Sequence, residues 1–140
     1  WTAKSIPAKK YGVTTGEPVA RALRKCPDLV CVPGDFALYQ RCSRAFKEIC
    51  ASYAPAMESF SIDEVFLDMT GTHLIYPDPV AVAHEIKDKI RDDLGFTVNV
   101  GIGTNKLLAK MASDFEKPDK VHTLFPPEND VAYSDTEEPD

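Results

Sequence analysis

The stretch "SFSIDEVFLDMT", residues 59–70, constrains this chain more than any other. Its apolar residues read as strand, yet Asp63 and Glu64 stand side by side in its middle. Adjacent carboxylates repel each other and lose hydration when buried. One continuous buried strand cannot hold them, so the chain reverses there. Two short strands follow, over 57–62 and 65–69. Phe60 and Ile62 lie on one face of the first; Val65, Leu67 and Met69 lie on one face of the second. Turn tips favour Gly, Asn and Pro, and here the tip is Ile-Asp-Glu-Val. Two readings stay open: a hydrated polar turn, or a rigid carboxylate pair at the sheet's end that holds a divalent cation. Magnesium suits the second, because it takes oxygen ligands, commonly one or two carboxylates plus substrate phosphates.

Helices and strands alternate around this hairpin. Tyr39, Cys42, Phe46, Ile49 and Tyr53 recur at spacings of three and four, which predicts a helix over 36–53 that Ala54-Pro55 ends. Val82 or Ala83 with Ile86, Ile90 and Leu94 predicts a second over 80–94, closed by Gly95. "FTVNVGIGT" (96–104) alternates as a strand. A third helix over 105–116 turns Leu108, Met111, Ala112 and Phe115 inward and Lys106 and Lys110 outward, and "VHTLF" (121–125) is a last strand. The order α-β-β-α-β-α-β predicts a ferredoxin-like α+β sandwich, with helices on one antiparallel-rich sheet that lacks its opening strand. Upstream, 5–18 is turn-rich, Thr15 is a candidate cap for a helix reaching about Lys25, and 28–34 reads as a short strand closed by Pro33-Gly34. The expected boundaries are 1–35, 36–127 and an acidic flexible tail over 128–140.

A chain of 140 residues with 44% hydrophobic and 27% charged residues has the composition of one globular domain with a real core. No apolar run approaches the roughly 18 residues of a membrane span, and the first residues lack a signal-peptide block. The expectation is cytoplasmic, with no membrane partner. The net charge of −6 conceals an uneven distribution: residues 128–140 hold six acids and no base, leaving 16 acids against 16 bases before them. Residues 1–25 carry six bases against Glu17 alone. A basic segment of this kind keeps nucleic acid open as a partner despite the acidic total. Cys26, Cys31, Cys42 and Cys50 form no C-x-x-C pair, which argues against zinc, and Cys42 and Cys50, on a predicted helix among apolar residues, read as reduced, buried thiols.

Lys106 and Lys110 share one helix face, and Lys117 stands at that helix's end. Each has an ordinary reading, as solvated face or dipole partner, and a phosphate-binding one. "GIGTNK" lacks Walker A spacing. His73, His84 and His122 sit in no triad.

The motifs S-I-D-E-x-x-L-D and, about thirty residues on, G-x-x-x-N-K-x-x-A-K-x-A-S resemble the palm of Y-family, lesion-bypass DNA polymerases, in the UmuC-like ImpB/MucB/SamB branch. "AKKYGVTTGEP" and "CPDLVCVPGDFALYQRCSRAF" resemble the family's small fingers segment and the helix returning to the palm. The resemblance covers roughly residues 3–127. It implies that residues 1–35 are a fingers remnant and 36–127 most of a palm, part of the catalytic core of a DNA-directed DNA polymerase for translesion synthesis and DNA repair. It implies that Asp63 and Glu64 are ligands of a two-magnesium phosphoryl-transfer centre. Lys117 and Lys9 would contact the triphosphate of the incoming dNTP, both converging on the face that carries Asp63. Relatives often place arginine at the position of Lys9; lysine keeps the charge and loses the fork. Ile6 stands where relatives can carry a phosphate-touching tyrosine and is left out of the site. Implied partners are primer-template DNA, dNTP and a sliding clamp, in an SOS-type damage response.

The family's opening strand, with a third metal-binding aspartate, and its thumb and little-finger domains have no counterpart in these 140 residues. An internal fragment is the expectation, inactive alone. The alternatives are a non-catalytic truncated palm that serves as a folding or interaction module, and a different magnesium phosphotransferase. Without the opening strand, 65–69 and 96–104 would face each other across a gap. It would be filled by sequence outside these residues, by a second copy in a dimer, or by 28–33 or 121–125 of this chain.

Overall fold

The computed structural model describes residues 3–126, so the acidic tail expected over 128–140 lies outside the described residues. The chain divides into two compact units between Asp35 and Phe36.

The first unit holds α1 (Ile6–Lys10) and α2 (Val19–Lys25). The turn-rich reading missed α1. Ser5 caps it, its hydroxyl accepting from the Ala8 N–H at 3.3 Å, and Pro7 sits in its first turn. Thr15 does not cap α2, which follows Pro18 without a side-chain cap. Its hydroxyl accepts from Lys4 instead, while Glu17 accepts from the Thr14 N–H at 2.8 Å and pairs with Lys25 at 2.9 Å. Hydrogen bonds from Lys25 and Thr14 hold the Glu17 carboxyl below its ordinary range. Val13, Ala22 and Cys26 form the small core, with Leu29 against it. The strand expected over 28–34 is absent: Val30 and Val32 are each 80% exposed. Among the described residues no neighbouring strand offers them a ladder, and an unpaired apolar run gains nothing from extending.

The second unit begins with α3 (Phe36–Ala51), followed by the hairpin β1 (Ala56–Ser61) and β2 (Glu64–Asp68). Then come α4 (Pro79–Leu94), β3 (Val100–Gly103), α5 (Lys106–Ser113) and β4 (Val121–Leu124). Asp78 caps α4 through the Val80 N–H at 3.0 Å, and Gly95 ends it at φ 83°. Phe46 and Cys50 of α3 pack on Val82, Ile86 and Ile90 of α4. Val65 and Leu67 of β2 cover this pair, with Phe96 and Val98 beside them. Burying a side chain such as Ile90 is worth about 1.5–3 kcal/mol, so this two-helix layer anchors the unit. Tyr39, expected in the stripe, is exposed. The described cysteines are all free thiols; Cys50 is buried, and desolvation pushes its pKa up to about 11.

The α+β class stands, but the strands form two separate pairs. β1 and β2 are antiparallel, with Met57 opposite Leu67, and β3 and β4 are parallel, with Val100 opposite Val121. Each remaining edge of β2 and β3 lacks a strand partner among the described residues. Residues 28–33 form no strand, and Val121–Leu124 pairs with β3 without reaching β2, so neither described segment joins the two pairs. The 96–104 strand shortens to Val100–Gly103, because Phe96 and Val98 turn to the helical layer rather than join a ladder.

β3 and α5 touch backbone to backbone. A Cβ on Gly101 would fall 2.0 Å from the Ala109 carbonyl oxygen and 2.4 Å from the Ser113 nitrogen. This approach needs glycine and leaves little room for large inward side chains on α5. Ala112 is buried, whereas Met111 and Phe115, expected inward, are 46% and 52% exposed. Among the described residues no helix is long and apolar enough to cross a membrane.

Candidate metal and phosphate site

The hairpin carries a bulge between Ser59 and Ser61, so its register shifts just before the acidic pair. Alternation along β2 then sends Val65 and Leu67 toward the helices and leaves Glu64 and Phe66 for the other face. Asp63 sits exposed in the two-residue turn, where its carboxylate accepts from the Ser61 hydroxyl at 2.9 Å. Glu64 opens β2 and is half-buried. Neither carboxylate lies in the apolar core.

Two residues of α3 that the sequence reading passed over brace this turn. The buried Ser43 hydroxyl donates to the Ile62 carbonyl. Lys47 donates to the Ser61 carbonyl at 2.7 Å and to the Ser59 hydroxyl at 2.8 Å. The turn is held at its backbone by a helix that is itself part of the core, which limits the freedom of both carboxylates.

The outer face of the hairpin meets α5. Asn105 caps α5 through the Leu108 N–H at 2.9 Å. Lys106 pairs with Glu58 and lies over the Phe66 ring, 5.8 Å from its centre. Lys110 Nζ stands 3.1 Å from Glu64 Oε2 and 3.7 Å from Asp114 Oδ2. The hydrogen bond that Lys110 donates to Glu64 is the main cause holding its ammonium above the usual range. The expected outward face of α5 is thus engaged with acids rather than merely solvated. Glu58, Phe60, Phe66, Lys106, Leu107 and Lys110 line a shallow cleft between hairpin and helix.

Lys117 lies in the connection from α5 to β4, 64% exposed, with Asp114 Oδ1 at 3.4 Å. Its loop is pinned from two sides. The Asn99 amide donates to the Ser113 carbonyl at 3.2 Å and the Glu116 carbonyl at 3.1 Å, and accepts from the Lys120 N–H at 3.1 Å. The buried Lys87 reaches Asp119 at 3.1 Å and Asp88 at 2.9 Å, and Arg91 adds a contact to Asp119 at 3.4 Å. The Lys87 hydrogen bond is the leading cause that lowers the Asp119 carboxyl. Lys9 is exposed on α1 of the first unit, and Asp63, Glu64 and Lys117 belong to the second.

Two carboxylates on a braced turn match the donor chemistry of a hard divalent cation. They make a partial set, since no group of three or more metal-ligating side chains gathers among the described residues. Such a set suits Mg²⁺, which completes its coordination with water and substrate phosphate.

Comparison with known proteins identifies the family of the chain. The sequence profile of the impB/mucB/samB family matches residues 2–114. The chain is 48% identical over 123 residues to DNA polymerase IV of Clostridium acetobutylicum, covering 88% of this chain and 31% of that protein. It is 43% identical over 128 residues to DNA polymerase IV of Acetivibrio thermocellus, covering 91% and 32%. It therefore spans about a third of the length of these curated relatives. Its backbone matches the crystal structure of DinB from Sulfolobus solfataricus with a TM-score of 0.81 at 32% identity, over 89% of this chain and 37% of that one. An insertion ternary complex of Dbh DNA polymerase matches with 0.82 at 31% identity, over 87% and 36%. A Y-family DNA polymerase chimera gives 0.81 at 32% identity, over 89% and 37%. By sequence and by fold, this chain belongs to the impB/mucB/samB family and is a Y-family DNA polymerase-like region.

Proposed function

We propose that the chain is the fingers remnant and most of the palm of a longer translesion DNA polymerase, with Asp63 and Glu64 as metal-binding catalytic carboxylates. The observation that carries this reading is the braced acidic turn: two accessible carboxylates fixed at the end of a strand, on a backbone shared with DNA polymerases. Asp63 and Glu64 would hold Mg²⁺. A cation bound there supplies positive charge against the charge that develops on the transferring phosphoryl group.

The residues of the chain then divide the remaining work. Lys117 binds the triphosphate of the incoming dNTP electrostatically, from a loop that Asn99, Lys87 and Arg91 tie to the rest of its unit. Lys9, in the first unit, is assigned triphosphate binding on the family resemblance alone. Both are compact point charges, suited to phosphate without the bidentate geometry of arginine. Ser43 and Lys47 keep the turn from drifting, and small displacements of positioned groups carry large kinetic costs. Primer-template DNA is the polymeric substrate; a sliding clamp, an SOS-type role and a cytoplasmic setting complete the reading.

The non-catalytic alternative applies to the 140 residues in isolation. Its support is the incomplete carboxylate set and the unpaired edges of β2 and β3 among the described residues. Template-directed primer extension by the longer protein that carries this segment tests the main reading. The expected result is incorporation that follows the template and stops when a chelator removes divalent cations. A purified, folded longer protein that incorporates no nucleotide under any divalent cation would overturn it.

A further inference from the structure

The carboxylate that would take the metal already has a cationic partner. Lys110 Nζ lies 3.1 Å from Glu64 Oε2, and Asp114 Oδ2 lies 3.7 Å away on the same helix face, one turn on. The helix itself has little freedom to shift, because Gly101 and Gly103 of β3 meet the backbone of α5 at closer than ordinary approach. The Lys110 side chain is 40% exposed and has an acid on either side. Asp63 also faces this ammonium through its field.

We propose that Lys110 is a resident counter-cation of the acidic turn, which competes with a divalent metal for Glu64, and that Asp114 is the second seat that receives it. The proposal rests on the reading of Asp63 and Glu64 as a metal site. Its physical content is competition. A lysine ammonium and a hydrated divalent cation that face the same carboxylate repel each other, and each draws on its negative charge even when they take different oxygens. The pair at Glu64 keeps two neighbouring carboxylates compatible while no metal is bound. A nearby acid lowers the cost of leaving, since the ammonium exchanges one exposed ion pair for another. The lysine thereby sets a threshold for metal occupancy, so that the site fills when substrate phosphates add their own oxygens to the coordination sphere.

The test is Mn²⁺ binding to the chain, read by paramagnetic broadening of backbone amide signals at residues 62–65, with Mg²⁺ competition as a check. Wild type should show weak, saturable broadening that Asp63→Asn removes. Lys110→Gln should tighten apparent binding by about twofold to fivefold, the range an exposed ion pair supports. Lys110→Arg, which keeps the charge, should stay near wild type. Asp114→Asn should weaken binding by about twofold, on the same scale, and should have no effect once Lys110 is already Gln. That cycle matters because Asp114 also touches Lys117 at 3.4 Å. Broadening that is absent, or that survives Asp63→Asn, overturns the metal site and this proposal with it. Broadening that needs Asp63 but is unchanged or weaker in Lys110→Gln overturns the proposal alone. An equal loss from Asp114→Asn in both backgrounds removes Asp114 as the second seat.

Discussion

Gly101→Ala is expected to unfold or nearly unfold the second unit. The added Cβ would lie 2.0 Å from the Ala109 carbonyl oxygen, 2.4 Å from the Ser113 nitrogen and 3.0 Å from the Ser113 Cα. All three are backbone atoms of α5 and its end, so no rotamer change relieves the clash. Overpacking with room to adjust costs about 1–3 kcal/mol. Here β3 and α5 must separate, and a loss above about 4 kcal/mol is expected, the range reserved for such mechanisms. Against a total stability of about 5–15 kcal/mol, one methyl group decides whether the unit folds. Gly95→Ala provides the contrast. Its Cβ would meet nothing within 4 Å, and only the left-handed φ of 83° resists it, at about 1 kcal/mol. Thermal unfolding followed by far-UV circular dichroism separates the two. A Gly101→Ala midpoint equal to wild type would remove the close β3–α5 packing from the account.

The second large effect is the loss of activity on isolation: the 140-residue chain by itself is expected to extend no primer. Two carboxylates hold Mg²⁺ loosely without substrate phosphates, and no third metal-ligating side chain joins them among the described residues. Duplex affinity rests mainly on phosphate contacts, and the chain covers only 31% of its Clostridium relative. Gel-resolved primer extension decides the matter. Template-dependent incorporation by the purified chain, sensitive to Asp63→Ala, would mean that the residues here suffice.

The elements were legible where periodicity and caps agree. Ile86 and Ile90 mark the buried stripe of α4 and Gly95 its end; the acidic pair marks the hairpin turn to within one residue, since the turn is Ile62-Asp63 and Glu64 already opens β2. The strand at 28–34 was misread because Val30 and Val32 have the right composition and no ladder to join; composition reports a preference, and pairing decides. On α5, Ala112 is buried as expected, but Met111 is exposed because Leu108, Ala109 and Ser113 take the face that meets the glycines of β3, and Phe115 falls beyond the helix, which ends at Ser113. The acidic pair itself was visible, but its supports were not. Ser43 sits on the apolar side of α3 and Asn99 within an apolar run, and a lone polar residue in such a place is a signal of a buried hydrogen bond. Lys87, next to Ile86 on the stripe of α4, carries the same signal. None of these reveals its partner, because Ile62, Ser113 and Asp119 are distant in sequence and meet them only in the fold.

The central claim is that Asp63 and Glu64 carry nucleotidyl transfer. Single-turnover dNTP incorporation by the longer protein, wild type against Asp63→Ala and Glu64→Ala, tests it most directly. Each substitution should lower the rate by about 10²–10³-fold or more, the scale on which removing one electrostatic stabiliser acts, with the unfolding midpoint unchanged because both side chains lie outside the core. Rates within twofold of wild type for either variant would contradict the account.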